Sequence, residues 1–501
     1  MTLTDVILLI TSLLLSFNLG RFCNPRHSAF AAPGLHLLIM AALFLVAYAL
    51  TRRFCFSLLI ALCAQLVVLI VNNAKYRFLR EPLVHADFAL YSQAIRFPRL
   101  YLPFVGIGPA LIGTLAISAT LTGGLLLEAP SALLWSTALT DRLLALAGLA
   151  VLIPLIIAPA RRREVSLIPE SDMQRYGLLP MLAIYAAQSR IEPVASQPPL
   201  PVADGRPNLI AIQSESFFDA RRLDSRIRPS ILGCFDRLKR EAAASGRLRV
   251  PAWGAYTMRS EFAFLSGRAN ASLGFGRFDP LRFYRNRLAE GGIDSLAAQL
   301  RRQGYRCICI HPYPVKFFAR HRIYPQLGFD EFIDIRSFRE ARRFGPYVSD
   351  EAVCDRILEE LSTSDQPLFI FAITMENHGP LHLESVTAAE RATFFSTETD
   401  ASDDNLAIYL RHLRNADRML ERLSDYLAER DPQAVLAWYG DHVPGMPDIY
   451  QARDYDDPTT DYLVWSAGAD IDERTGPQEA SVEDLPGMML RATQRQKELC
   501  V

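Results

Sequence analysis

A chain of 501 residues is too long for one ordinary domain. Half of its residues are hydrophobic and 21% are charged, and a formal net charge of −1 gives no argument for nucleic acid or an acidic partner, so no nucleic-acid partner is expected. The eight cysteines form no zinc-type CxxC pair and no assignable disulfide framework.

The apolar residues crowd into the first third. Five runs, over residues 5–20, 35–50, 54–71, 104–127 and 142–159, each reach a bilayer span of about 17–25 residues once their flanks are counted. Buried helices of a soluble protein would carry a polar face, and a signal peptide would be one short run with a cleavage site. Residues 1–163 therefore predict a multi-pass α-helical membrane domain. Between the third and fourth runs, residues 72–103 mix Lys75, Arg77, Arg80, Arg96 and Arg99 with Phe78, Phe88, Tyr91, Phe97 and Tyr101. That composition suits the headgroup zone. Counting Lys and Arg near the spans places Arg21, Arg26, the 72–103 loop and Arg161–Arg163 on one side, with Arg52 and Arg53 on the other. The positive-inside rule then puts the C-terminal domain in the cytoplasm.

Residues 164–207 read as a connector. Ser171–Ser189 has the pattern of an amphipathic helix that Pro180 breaks or restarts, and 194–207 is a Pro-rich linker. From Asn208 to the end, four apolar segments break into polar residues. Asn208–Ile212 runs into Gln213, Ser214 and Glu215. Cys307–Ile310 runs into His311. Leu368–Ile373 runs into Thr374, Glu376, Asn377 and His378, and Val435–Tyr439 into Asp441 and His442. Helix-like stretches lie between them at Ile293–Gln303, Asp350–Leu361 and Leu406–Ala428. Strands alternating with helices predict an α/β domain with a mainly parallel sheet covered on both faces. Parallel strands bring their C-terminal ends, and hence these polar residues, to one edge.

Glu215, Asp441 and His442 offer two carboxylates and an imidazole, a ligand set for Mn²⁺, Mg²⁺ or Zn²⁺. A nucleophile is supplied by AYTMRSEFAFLSG, where Thr257 has the character of an N-cap and Ser260-Glu261 opens an apolar helical run. Free N–H groups at a helix start favour a phosphate oxyanion, and a threonine hydroxyl on a metal becomes acidic enough to attack phosphorus. After His311 come Lys316, Phe317, Phe318 and Arg320: a planar cation suits a phosphodiester, and the aromatics suit a glycerol or a ring face.

Together, SESFFD around Glu215, TMRSEF around Thr257, HPYPVKFFAR from His311 to Arg320, MENH ending at His378 and YGDH ending at His442 resemble the lipoteichoic acid synthase and phosphoglycerol transferase group of the sulfatase-like, alkaline-phosphatase-type superfamily. The resemblance implies that Glu215, Thr257, Asp441 and His442 hold one divalent metal, most often Mn²⁺, with Thr257 as nucleophile. It implies substrate contacts from His311, Arg320 and His378, with Phe318 where that group has a Trp. It implies transfer of glycerol phosphate from phosphatidylglycerol to a glycan through a phosphothreonine, with release of diacylglycerol. The Arg-rich composition, with Lys only at 75, 239, 316 and 497, does not suggest a low-GC Gram-positive source, so a periplasmic glycan such as an osmoregulated glucan or a capsule is expected as acceptor at least as much as teichoic acid. The resemblance also implies a catalytic domain outside the inner membrane, against the charge count, and that placement is the one expected. The alternative is a phosphoethanolamine transferase acting on lipid A or another glycan, a group of similar architecture. A sulfatase proper is disfavoured, since no Cys or Ser is followed by x-Pro-x-Arg.

Overall fold

The computed structural model describes residues 3–26, 31–90, 107–130, 138–189, 200, 201, 203, 205–289, 293–468 and 478–494. They form two compact units, Met1–Arg190 and Ile191–Val501.

Helices at Leu3–Leu19, Pro33–Thr51, Phe54–Leu79, Ile107–Leu127 and Ala138–Arg161 occupy the places of the five apolar runs. Among the described residues, four are long and apolar enough to cross a membrane: Leu3–Phe22, Pro33–Thr51, Phe54–Leu79 and Leu139–Arg161. The third helix continues past the expected end at Val71 as far as Leu79, where Arg80 closes it in the left-handed conformation. Lys75, expected in a basic interfacial loop, is instead buried on that helix and pairs with Asp87 at 2.6 Å and Glu81 at 2.9 Å. Residues 91–103 of the expected loop lie outside the described residues. The connector is two helices, Pro169–Tyr176 and Leu178–Gln188. They break at Gly177, whose φ of 82° favours glycine, rather than at Pro180, which sits in the first turn where a missing N–H costs nothing. The second of them buries Leu178, Met181, Leu182, Ile184 and Tyr185 within the first unit.

The second unit is built on β1 (Leu209–Ser214), β2 (Ala244–Arg249), β3 (Arg306–Ile310), β4 (Glu331–Ile333), β7 (Leu368–Ile373), β8 (Val435–Gly440), β9 (Thr460–Ser466) and β10 (Ala480–Ser481). The short β5 (Arg343–Phe344) and β6 (Tyr347–Val348) make a separate hairpin. The sheet order is β10-β2-β9-β8-β1-β7-β3-β4. From β8 to β4 all neighbours are parallel, and β9 runs antiparallel to both β8 and β2. The four strands expected from apolar runs are thus the four central neighbours. Alternate strand residues serve opposite faces. Ile210, Ile212, Ile370, Leu436 and Trp438 join one core with Leu406, Leu410, Leu413 and Leu420 of the helix Asp404–Arg430. On the other face Phe371 and Tyr439 stack on Phe264 of the helix Thr257–Ser266, with ring centroids 5.4 and 5.2 Å apart. The mainly parallel sheet covered on both faces is as expected. Register sets where the strands stop: Ser214 pairs with Gly440, Gln213 with Ile373 and Ile310 with Ala372. The four strands end level, so the polar residues after them share one edge.

Candidate active site

β1 delivers Glu215, and β8 delivers Asp441 and His442; all three are buried. Their ligand atoms lie within 4.8 Å of one another. His442 Nε2 is 3.4 Å from Asp441 Oδ2 and 3.6 Å from Glu215 Oε1. The close approach of the two strand ends depends on Gly440, where a Cβ would fall 1.8 Å from the Phe217 carbonyl oxygen. The loop after β1 turns through Ser216, at φ 53°. Its N–H donates to Asp441 Oδ1 at 2.9 Å and its hydroxyl to Glu215 Oε1 at 2.9 Å. The Glu215 N–H is held by Thr374 Oγ1 at 3.0 Å.

This set fits a divalent cation on its own evidence. His442 Nδ1 lies 3.0 Å from the Val443 carbonyl, which only accepts, so the proton sits on Nδ1 and the Nε2 lone pair faces the carboxylates. Asp441 Oδ2 is buried with no hydrogen-bond partner among the described residues. Burial, followed by the Asp441 charge, pushes Glu215 up to about 8. Two buried carboxylates, an orphaned oxygen and an aimed imidazole lone pair are costly without a cation and suited to one.

Thr257 is the first residue of the helix Thr257–Ser266 and is half-buried. The sequence predicts it as the cap; the cap position is instead Tyr256, at φ 68°, and the helix begins three residues before the Ser260-Glu261 pair expected to open it. The first turn is tied to the metal-ligand strand by Ser260, whose hydroxyl donates to the Asp441 carbonyl at 2.7 Å. Arg259, buried in the same turn, lies with its guanidinium 4.1 Å from the Tyr256 ring centroid.

At the end of β3, His311 is buried with Nδ1 3.0 Å from the Ile373 carbonyl. Its Nε2 is 3.2 Å from Arg320 Nη1. Arg320 is buried as well, its Nε donating to Glu261 Oε2 at 3.1 Å and its Nη2 to Glu261 Oε1, while the Tyr324 hydroxyl donates to Glu261 Oε2 at 2.7 Å. Three of the guanidinium's N–H groups are thus committed inside the protein. Burial and the Arg320 charge hold His311 well below the usual imidazole range. Phe318, at φ 52°, lies with its ring centroid 5.1 Å from the Arg320 guanidinium. After β7, His378 is half-buried, with Nδ1 2.6 Å from the Gly379 carbonyl and the Tyr347 hydroxyl 3.2 Å away. Burial lowers its pKa.

The structure therefore groups Glu215, Asp441 and His442 directly, anchors the helix of Thr257 to them through Ser260, and sets His311, Phe318 and Arg320 together after β3. Sequence reasoning misses Ser216, Tyr324 and Tyr347, and it names Thr374 and Glu261 without giving them these roles. Ser216 stands beside Glu215, already singled out. Glu261 carries a signal, as the one acidic residue in an otherwise apolar helical run.

A family model for sulfatases matches residues 207–494. The chain belongs to the sulfatase family. It is similar to the capsular polysaccharide biosynthesis protein RkpI of Rhizobium meliloti, with 29% identity over 462 residues, 85% of this chain and 81% of that one. It is also similar to a putative cyclic beta-1,2-glucan modification protein of the same organism, 30% identical over 262 residues, 51% of this chain but 39% of that protein. Among solved structures, the integral membrane lipooligosaccharide phosphoethanolamine transferase A of Neisseria meningitidis shares the fold at a TM-score of 0.53 and 16% identity, covering 91% of this chain and 84% of that one. The superfamily expected from the motifs is the one found, and the enzyme is sulfatase-like.

Proposed function

We propose that this sulfatase-like enzyme is a membrane-anchored phosphotransferase that moves glycerol phosphate from phosphatidylglycerol to an envelope glycan through a covalent phosphothreonine at Thr257, releasing diacylglycerol. The observation that carries the reading is the buried Glu215–Asp441–His442 set, with its orphaned Asp441 oxygen, tied by Ser260 to a helix that starts with a threonine. Glu215, Asp441, His442 and Thr257 would hold one divalent ion, Mn²⁺ before Mg²⁺ or Zn²⁺, whose charge offsets the carboxylates and draws electron density from a phosphoryl oxygen.

The protein's own groups do the rest. The N-terminal turn of Thr257–Ser266 carries the positive end of the helix dipole, which favours the phosphoryl oxygens. Thr257 Oγ forms the bond to phosphorus as the bond from phosphorus to the diacylglycerol oxygen breaks. The hydroxyl proton of Thr257 ends on that oxygen. In the second half the acceptor hydroxyl attacks, its proton returns to Thr257, and glycerol phosphate leaves on the glycan. The names of the two Rhizobium relatives support a capsule or a periplasmic glucan as acceptor.

A lipid donor suits the helical first unit, read as five crossings of the inner membrane. The extracytoplasmic placement of the second unit rests on the motif resemblance. The contrary charge count weakens because Lys75 is neutralised by Asp87 and Glu81 within a helix rather than exposed in a loop. The test is product analysis of the full chain in detergent with Mn²⁺, labelled phosphatidylglycerol or phosphatidylethanolamine, and a panel of glycans. Diacylglycerol release with glycerol phosphate on the glycan is the expected result. Activity with phosphatidylethanolamine alone overturns it in favour of phosphoethanolamine transfer. A reporter fused after Val501 that reads cytoplasmic would overturn the orientation.

A further inference from the structure

Two imidazoles, His311 and His378, stand at the edge of the sheet where a proton has to travel from Thr257 to a departing alkoxide, and their environments differ. We propose that Glu261 is a positioning residue: it clamps Arg320 so that the guanidinium occupies Nε2 of His311, which leaves His378 as the imidazole that carries the proton.

The argument is one of donors and acceptors. The Glu261 carboxylate takes Nε–H and one Nη2–H of Arg320, a side-on bidentate pair that fixes the guanidinium plane. Tyr324 adds a third donor to the same carboxylate, at 2.7 Å. The side chains of Glu261, Arg320 and Tyr324 are all buried. With its plane fixed, Arg320 directs Nη1 to His311 Nε2 at 3.2 Å. A guanidinium only donates, so Nε2 must offer its lone pair. The Ile373 carbonyl at 3.0 Å only accepts, so Nδ1 must carry the proton. Both ring nitrogens of His311 are therefore spent on the protein in one tautomer. A second proton on Nε2 would face an arginine, the costliest neighbour for it. The groups facing His311 agree: Arg320 from the segment after β3, His378 from the loop after β7 and the Tyr313 ring at 6.0 Å offer no negative charge to favour protonation, and Glu261 reaches it only through Arg320.

His378 differs at one atom. Its Nδ1 is fixed by the Gly379 carbonyl at 2.6 Å, which orients the ring and keeps the proton there. Nε2 makes no hydrogen bond among the described residues, and burial lowers the pKa of the ring, so a lone pair is open there to accept a proton. The balance then closes with one carrier. Nε2 of His378 takes the proton as Thr257 Oγ bonds phosphorus, and returns it to the diacylglycerol oxygen as that bond to phosphorus breaks. This assignment of the carrier rests on the transfer reading above, whereas the clamp on His311 does not.

The test separates the two. In the full chain with ¹⁵N-labelled histidine, the His311 signals are identified by their loss in His311→Asn. In the wild type they should report Nδ1–H and a bare Nε2 with no titration between about pH 5.5 and 8.5. Glu261→Gln should release His311 to titrate inside that window, and Glu261→Asp should restore part of the lock. A wild-type His311 that titrates near 6.5, or carries its proton on Nε2, overturns the clamp whatever the donor lipid is. So does a Glu261→Gln spectrum that matches the wild type. Should Glu261→Gln fail to fold, Arg320→Lys, which keeps the charge but loses the fork, must show the same release. In diacylglycerol release, Glu261→Gln should lose about 10–100-fold, and Glu261→Gln/Arg320→Gln should be no slower than Arg320→Gln alone. Losses that multiply would show Glu261 acting independently of Arg320 and overturn the positioning role. His378→Asn should cost about 10²–10³-fold. A His311→Asn loss as large as that of His378→Asn would overturn the choice of carrier.

Discussion

After β1 and β8, Asp441 Oδ2 is buried without a hydrogen-bond partner among the described residues, Glu215 is pushed up to about 8 by burial and by Asp441, and His442 aims a lone pair at both. After β3, Arg320 and His311 are just as deeply buried, yet Glu261, Tyr324 and the Ile373 carbonyl answer their polar groups from within the chain. The two halves sit on parallel strands of one sheet, with β7 between β1 and β3, and end level. A half left unsatisfied spends folding free energy that only a ligand can restore, so it is built around something from outside. A half satisfied internally is rigid, and its value lies in orientation. A groove of about 760 Å³ in the second unit is not this site: it is lined by Asp224, Arg226, Asp403 and Arg453, which pair with one another, and by none of the metal set.

The largest effect should come from the nucleophile. Thr257→Ala removes one hydroxyl from a half-buried position at a helix start and leaves Ser260, Asp441 and the helix intact. Diacylglycerol release should fall by at least ~10³-fold while thermal unfolding barely moves. A variant that keeps its rate would show that the phosphoryl group never rests on this threonine.

Next is the unsatisfied half. In metal-free protein burial and the Asp441 charge push the folded Glu215 up to about 8, above its ordinary value of 4.5. Between those values the folded state holds a proton that the unfolded state has lost, so this group makes stability fall as pH rises toward 8. Mn²⁺ should relieve that penalty, and its thermal stabilisation should be larger at pH 8.5 than at pH 6. A gain of about 2.7 kcal/mol corresponds to metal at a hundred times its dissociation constant. Asp441→Asn removes one of the two carboxylate charges and should abolish most of the gain at either pH, as read by calorimetry with and without the ion. A metal response in Asp441→Asn equal to the wild type would place the ion elsewhere.

Behind β7 lies a buried hydrogen-bonded group around Glu376 with its own pH signature. Glu376 accepts from the Asp350 N–H at 2.7 Å, from Asn415 at 2.6 Å and from His412 Nδ1 at 3.0 Å, and His412 Nε2 reaches Glu384 at 2.9 Å. Burial alone would lower the pKa of His412, but its hydrogen bonds to Glu376 and Glu384 raise it to about 9. A base whose folded pKa exceeds its unfolded one stabilises fully below about 6.5 and loses that contribution as pH climbs through about 9. The shift corresponds to roughly 3 kcal/mol. Wild-type stability should therefore decline between pH 7 and 10, and His412→Asn should be destabilised by about that amount at pH 6 and by much less at pH 10. Equal destabilisation at both pH values would mean that shape, rather than charge, is what His412 contributes.

The same contrast governs how much was legible in the sequence. Apolar runs ending in Glu215, His311, His378 and Asp441 could be read because burial of a central parallel strand leaves only its end free to be polar, and the level register then comes from the topology. The ligand set was legible because its residues are chemically unusual where they stand. The clamp was not, since Glu261 lies 59 positions from Arg320 and a salt bridge across that separation leaves no periodic trace. The end expected at Val71 falls short of Leu79 because Lys75 has the look of an exposed charge in sequence, whereas it is buried on the helix and paired with Asp87 and Glu81.

The smallest effect bears on how the two halves are joined. Ser260 is buried and donates to the Asp441 carbonyl at 2.7 Å, so it links the helix that carries Thr257, Glu261 and Phe264 to the strand end that carries the carboxylate. Ser260→Ala deletes that bond and strands one buried carbonyl, a cost of about 1 kcal/mol. If the bond merely adds stability, the melting temperature should drop by a few degrees and the transfer rate should stay as it was. The geometry argues for more. Thr257 sits one turn away from Ser260, and a loosened first turn moves the nucleophile relative to Asp441 while Phe264, stacked on Phe371 and Tyr439, keeps the far end of the helix in place. Ser260→Ala should therefore lower the rate of diacylglycerol release by about 5–10-fold with donor KM unchanged, because misplacing a reacting group costs the transition state rather than the ground state.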